Sequence, residues 1–182
     1  MLEYSFTQIK NSNNPLTPVD SDVELSHDFF ERSKELLISA DDVHVKGQFF
    51  YDEPFVTGSF TVEANVVVPS TRSLKPVSLH QKFDFTENYS EVKPTQEQLD
   101  EEDTIITIKD DVIDLQTAIE DNLLLSLPSV ALTREEKDDD LYPEGNGWKV
   151  VSEQEHQEGQ QNKVNPAFAK LKNLFDDENS DK

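Results

Sequence analysis

Apolar and polar residues divide this chain into a β-rich first half, one strongly apolar helix and two polar stretches. Leu2, Tyr4 and Phe6 alternate with polar neighbours, the period of a short half-buried strand, and Ile9 follows out of phase. Asn11 to Pro18 holds asparagines, a serine and two prolines and predicts a loop. Ser26 is placed to cap a helix from about His27 to Lys34, with Phe29, Phe30, Ser33 and Leu36 to Leu37 forming a partly apolar face. From Val43 to Thr86, β-branched and aromatic residues dominate, the types that fit a pleated surface. Turn residues at Asp52 to Pro54 and Pro69 to Lys75 divide this run into three sequential antiparallel strands near 43–51, 55–68 and 76–86. Thr104 to Ile108 predicts a further short strand.

The main helix is predicted over Val112 to Leu127. Asp114 can accept a bond from an early backbone N–H, and its charge suits a helix N-terminus. Leu115, Ile119, Leu123 and Leu127 recur every four residues, and Ala118 widens the stripe. Leu124 and Leu125 carry apolar surface beyond one face, so this helix should be mostly covered. Pro128 ends it. The pattern predicts an α+β fold: an antiparallel β-sheet packed by one main helix, with disordered acidic insertions and a short C-terminal helix.

The polar stretches set the domain plan. An α+β core is expected over 1–132, with an acidic mobile insertion near 87–103. An acidic linker follows over 133–164, too poor in apolar residues to offset its chain entropy and therefore largely disordered. A C-terminal helical peptide is expected over 165–176. Asn165 suits the N-cap and Pro166 the first helical position. Phe168, Leu171, Leu174 and Phe175 form its apolar stripe, and Lys163, Lys170 and Lys172 make it the basic stretch of the chain. So short a helix needs packing, so the stripe either docks on its own domain or lies in a partner's groove.

Charge narrows the function. The chain carries 38 acidic and 16 basic residues, a net charge of −22. Phosphate recognition draws its affinity from Lys and Arg, so this chain repels nucleic acid at long range and needs a local basic patch to touch RNA. Lys46, Arg72, Lys75 and Lys82 are the candidates, in or beside the near-neutral strands. The plain alternative is that they are ordinary solvated charges. There is no cysteine, which excludes disulfides, thiolate metal sites and thiol nucleophiles and fits a reducing compartment.

Met1 to Tyr4 has neither a basic start nor an apolar run, and Leu123 to Leu127 is far too short to cross a bilayer, so a cytoplasmic protein without a membrane partner is expected. The Asp138 to Asp140 run lacks the spacing and glycine of a calcium loop. His27, His44, His80 and His156 stand apart, and the five glycines form no phosphate-cradling motif. No catalytic, cofactor-binding or metal site is assigned, and no small-molecule substrate is evident. A hydrolase using paired carboxylates is the least favoured alternative, since nothing in the sequence singles out a pair with contrasting environments.

Three stretches in order resemble the YceD family, the large ribosomal RNA subunit accumulation proteins. They are Ser70 to Pro76, Ile113 to Leu115 continuing through Asp121 to Pro128, and Asn165 to Leu171. The first resembles a Cys-x-Arg-Cys-Leu-like motif with Ser70 and Ser73 in place of both cysteines, while Arg72, Leu74 and Pro76 are kept. Serine is a poor zinc ligand beside thiolate, so no metal can be essential to this loop. The second is similar to an Ile-Asp-Leu start and a leucine-rich run ending in Leu-Pro. The third is similar to a closing Asp/Asn-Pro-x-Phe-Ala-x-Leu stretch. The resemblance implies a non-enzymatic factor in large-subunit ribosomal RNA accumulation, bound to an rRNA precursor or to a ribosomal or assembly protein. The candidate partner-binding residues are therefore the basic patch of Lys46, Arg72, Lys75 and Lys82, read from charge, and Asn165, Pro166, Phe168, Lys170 and Leu171 of the third stretch with the adjoining Lys172. The charge suggests an alternative: an acidic, chaperone-like protein that shields a basic ribosomal protein.

Overall fold

The β-branched and aromatic run folds into long paired strands, but more of the chain joins them than its pattern predicts. The structure is a computed structural model that describes residues 2–96, 98, 104–138, 142–153 and 155–157. The chain forms two compact units, 1–133 and 134–182.

The first unit holds strands β1 (Glu3–Ser5), β2 (Leu16–Asp22), β3 (Ser39–Asp52), β4 (Phe55–Pro69), β5 (Pro76–Ser90), β6 (Ile105–Thr107) and β7 (Val112–Asp114). Its helices are α1 (Phe6–Lys10), α2 (His27–Ser33) and the main helix α3 (Leu115–Ser126). The large sheet has the order β2-β3-β4-β5-β6 and is antiparallel except for the parallel β5–β6 pair. β1 and β7 form a separate antiparallel pair. The mostly antiparallel sheet packed by few helices is the expected α+β class.

β4 shows how the sheet takes its faces. Val56, Gly58, Phe60, Val62, Ala64, Val66 and Val68 are buried, while the residues between them are exposed or half-buried. The period of two puts one face on the core and the other in solvent. On the core face Phe49 meets Phe60 edge to face at 4.9 Å, Tyr4 at 4.9 Å and Tyr89 at 6.1 Å. Gly47 and Gly58 make this possible. A Cβ at Gly47 would stand 2.5 Å from the Phe60 ring, and one at Gly58 would stand 2.6 Å from Phe60 and 2.9 Å from Phe49. Leu115, Ile119 and Leu123 of α3 are fully buried in the same core.

Several elements differ from the sequence expectation. Ile9 falls out of strand phase because the chain turns into α1 at Phe6; Phe6 and Ile9 are then i, i+3 on a buried face. Ser5 caps α1, accepting from Gln8 N–H at 3.1 Å. Leu16 to Asp22, whose first three residues are expected as loop, is strand β2. It tolerates Pro18 because it is an edge strand, where a missing N–H costs little. Val112 to Asp114, expected as the first turn of the main helix, pairs with β1 instead. The helix then starts at Leu115 with Asp114 as its cap, accepting from Thr117 N–H at 3.0 Å. β5 runs to Ser90 and takes in the first residues of the stretch expected to be an insertion. α2 matches its expectation, with Ser26 Oγ accepting from Phe29 N–H at 3.1 Å.

Two carboxylates enter this core with their bonding complete. Glu120 accepts from Ser26 N–H at 2.7 Å, Ser26 Oγ at 3.0 Å and Gln116 Nε2 at 2.9 Å, with the Arg32 guanidinium at 3.6 Å. Glu87 accepts from Tyr89 Oη and Asn122 Nδ2, both at 2.8 Å. Burial without such partners would cost several kcal/mol, of order 3–5 for a charge left alone. Burial, first, and the Glu87 carboxylate push the Tyr89 hydroxyl far above its ordinary range.

In the second unit the described residues form a short helix α4 (Arg134–Asp138) and a hairpin of β8 (Glu144–Gly145) and β9 (Trp148–Lys149). Gly147, at φ +88°, supplies its turn. The 165–176 stretch expected to form the C-terminal helix lies outside the described residues.

Leu123→Ala should lower stability by about 2–5 kcal/mol through the cavity it leaves. Leu123→Asp should prevent folding, because an unpaired charge would enter a fully buried site. Thermal melting followed by circular dichroism checks both; an unchanged melting temperature in the aspartate variant contradicts this packing.

Candidate functional site

The loop between β4 and β5 is built around one buried hydroxyl. Ser70 has no solvent exposure, and its Oγ accepts from Arg72 N–H at 3.1 Å and Ser73 N–H at 3.2 Å. Its N–H donates to Lys75 O at 2.7 Å, and its carbonyl accepts from Leu74 N–H at 3.0 Å. Thr71 ties the loop to the chain beyond α3, donating to Ala131 O through its N–H at 2.8 Å and its hydroxyl at 3.0 Å. These bonds hold Leu74 at φ +63°, a left-handed conformation that is rare for a bulky residue. The strained leucine is not hidden: it is 74 % exposed. Strain of this kind persists only where the surroundings impose it, and it clusters at working sites.

Beside the loop lies a recess of about 350 Å³. Leu36 from the segment after α2, Val68 of β4, Leu74, Leu124 and Leu127 at the end of α3, and Ala131 line it. The end of α3 is therefore less covered than its apolar pattern predicts. Leu124 faces the recess, and Leu125 is 82 % exposed. Leu36, Leu74 and Leu125 thus leave apolar surface exposed at this end of the unit.

The sequence-predicted cations fall in two places. Arg72 and Lys75 are on the loop. Lys46 of β3 and Lys82 of β5 lie on the solvent face of the sheet with β4 between them. Lys46 Nζ is 3.5 Å from Asp20, and Lys82 Nζ is 2.6 Å from Glu63, its cross-strand neighbour. The hydrogen bond and the charge of Lys82 hold Glu63 below its ordinary carboxyl range, and Glu63 raises Lys82 in return. Asn165, Pro166, Phe168, Lys170, Leu171 and Lys172 lie outside the described residues.

The same solvent face holds His44 between two acids. Its Nδ1 is 2.7 Å from Asp22, and its Nε2 is 3.1 Å from Asp20. The Asp22 hydrogen bond, first, and the charges of both acids raise its pKa. Among the described residues no group of three His, Asp or Glu side chains is arranged to hold a metal ion, and no helix is long and apolar enough to cross a membrane.

Sequence reasoning named Leu74 only as part of a motif and did not foresee the recess. The available signal was a bulky apolar residue inside a turn, two positions after an arginine.

Fold and site together define an α+β sheet protein whose most distinctive surface is an apolar recess beside a hydrogen-bonded loop. Two of its walls come from the stretches singled out above, Ser70 to Pro76 and Asp121 to Pro128. The chain belongs to the family described as large ribosomal RNA subunit accumulation protein YceD, whose profile matches residues 58–175. This is not a known enzyme family. A relative described as uncharacterized protein YlbN, from Bacillus subtilis (strain 168), is 28 % identical over 139 residues, covering 75 % of this chain and 77 % of the relative. No solved structure matches the chain.

Ser70→Ala should cost about 1–3 kcal/mol, because two loop N–H groups lose their buried acceptor; denaturant unfolding measures this. The His44 contribution has a definite sign. Its raised pKa means that the folded state binds the proton more tightly, so stability is fully present below about 6.5 and is lost as pH rises through the raised value. In His44→Gln, melting temperatures followed from pH 5 to 9 should lack this component, on the order of the small effect of an exposed pair.

Proposed function

We propose that this protein supports accumulation of large-subunit ribosomal RNA in the cytoplasm without catalysis, by docking an assembly protein on the recess beside the Ser70 loop. The observation that carries this reading is a convergence. The Ser70 and Leu124–Pro128 stretches, some 50 residues apart in sequence, line one apolar recess. An apolar wall favours a protein side chain over a phosphate backbone, which draws on Lys and Arg. Arg72 and Lys75 then serve as rim contacts. The Phe168 peptide, with Asn165, Pro166, Lys170, Leu171 and Lys172, offers a second contact to the same partner or to precursor RNA.

A second reading is that the protein shields a basic ribosomal protein before incorporation. It is favoured by the net charge of −22 and by the pairing of Lys46 and Lys82 with carboxylates, which withdraws both from phosphate binding. Pull-downs separate the two readings. A shielding complex survives nuclease and dissociates with salt, whereas recess docking resists salt.

Depletion should lower large-subunit RNA relative to small-subunit RNA, and the protein should co-sediment with precursor particles. Leu74→Glu should abolish rescue and co-sedimentation with little change in melting temperature, since the side chain is mostly exposed. Full rescue by that variant, or normal RNA ratios on depletion, overturns the reading.

A further inference from the structure

The two long edges of the large sheet are unequal. The β2 edge carries Pro18, which has no N–H, and the exposed acids Asp20 and Asp22, devices that blunt an edge against pairing. The β5 edge has no proline between Val77 and Thr86, and its exposed charges, Lys82 and Asp84, are of opposite sign, so they can complement a second strand where the paired acids of β2 repel one. β6 covers only Asn88 to Ser90 of it, so among the described residues Val77 to Thr86 has no partner on that side. Asn88 N–H donates outward to Thr104 O at 3.1 Å, and Ser90 O accepts from Ile108 N–H at 2.9 Å. Bonding direction alternates along a strand. The outward-facing N–H and C=O groups of the open segment therefore belong to Ser78, His80, Lys82, Asp84 and Thr86, all of which are exposed.

We infer that this edge pairs with the same edge of a second copy of the chain, antiparallel and centred on Phe83, to make one continuous sheet across a two-fold axis. Charge selects the register. Centring on Phe83 sets Lys82 opposite Asp84 of the second copy, twice by symmetry, with His80 opposite Thr86. Centring on Lys82 sets the two lysines against each other, and centring on Gln81 sets His80 against Lys82. The favoured register also prolongs a pattern already present. The row Asp22, His44, Glu63, Lys82 alternates acid and base across four strands, and Asp84 of the second copy is its next member. On the core face the half-buried Phe83 rings meet across the axis. Copies of charge −22 repel at long range, so the pairing strengthens as salt screens the bulk charge.

Sedimentation equilibrium of the full chain tests this at up to about 0.5 mM in about 0.3 M salt. The wild type should dimerise. Asp84→Lys, which opposes lysines at both contacts, should weaken the dimer about tenfold or more, and the exchange Lys82→Asp with Asp84→Lys should largely restore it. Melting curves confirm that each variant is folded. Because the chain has no cysteine, an introduced thiol reports the register directly and without the charge variants. Phe83→Cys should give a disulfide-linked dimer, whereas Gln81→Cys, about 13 Å from its own copy in this register, should not. A chain that stays monomeric throughout, a dimer indifferent to Asp84→Lys, or crosslinking through position 81 in place of 83 overturns the inference.

Discussion

The structure turns on Phe49. Its ring meets Tyr4 of the small β1–β7 sheet, Phe60 of the neighbouring strand and Tyr89 near the far end of β5. Tyr89 in turn donates to Glu87, and Glu87 accepts from Asn122 of the main helix. One aromatic cluster thus ties the terminal strand, the centre of the large sheet and the helix together. The constraint that permits it is steric. Phe60 and Phe49 occupy space that a Cβ at Gly47 or Gly58 would take, so both positions must remain glycine for the rings to meet. With the rings in place, the β4 alternation falls on the core and α3 has a surface to cover.

That arrangement decides where the charge goes. The helices cover one face of the sheet, so the polar residues of β3, β4 and β5 collect on the other. Register there sets acids opposite bases or hydroxyls: His44 beside Glu63, Glu63 beside Lys82, and Asp84 beside Thr61, whose hydroxyl donates to it. The outcome is a solvent face of local pairs on a chain of large net negative charge. The apolar recess stands apart from it, at the β4–β5 turn and the end of the main helix. A surface built this way keeps the charged face of the sheet and the apolar recess apart.

Much of this was legible in the residues, and the exceptions have causes. The three long strands, the Ser26 and Asp114 caps and the buried face of the main helix follow from local period and local hydrogen bonding. β2 escaped because asparagines and prolines announce a loop, whereas an edge strand needs only one bonded side. β7 escaped because three residues carry too little pattern to compete with the helix that follows. The fate of Lys46 and Lys82 could not be read in advance. Whether a strand lysine is available depends on which residue stands opposite, and that is set by register between segments some 20 residues apart. The recess likewise depends on a turn, a helix end and the segment after α2 meeting in space.

The Ser70 loop has one more consequence, for durability. A thiol at this position could be oxidised stepwise to sulfenic and sulfinic acids, or alkylated, or stripped of a metal by a chelator. A hydroxyl that accepts two backbone N–H bonds has none of these reactions. The loop that presents Leu74 therefore keeps its shape whatever the redox state or metal supply of its surroundings, and its geometry is fixed once, at folding.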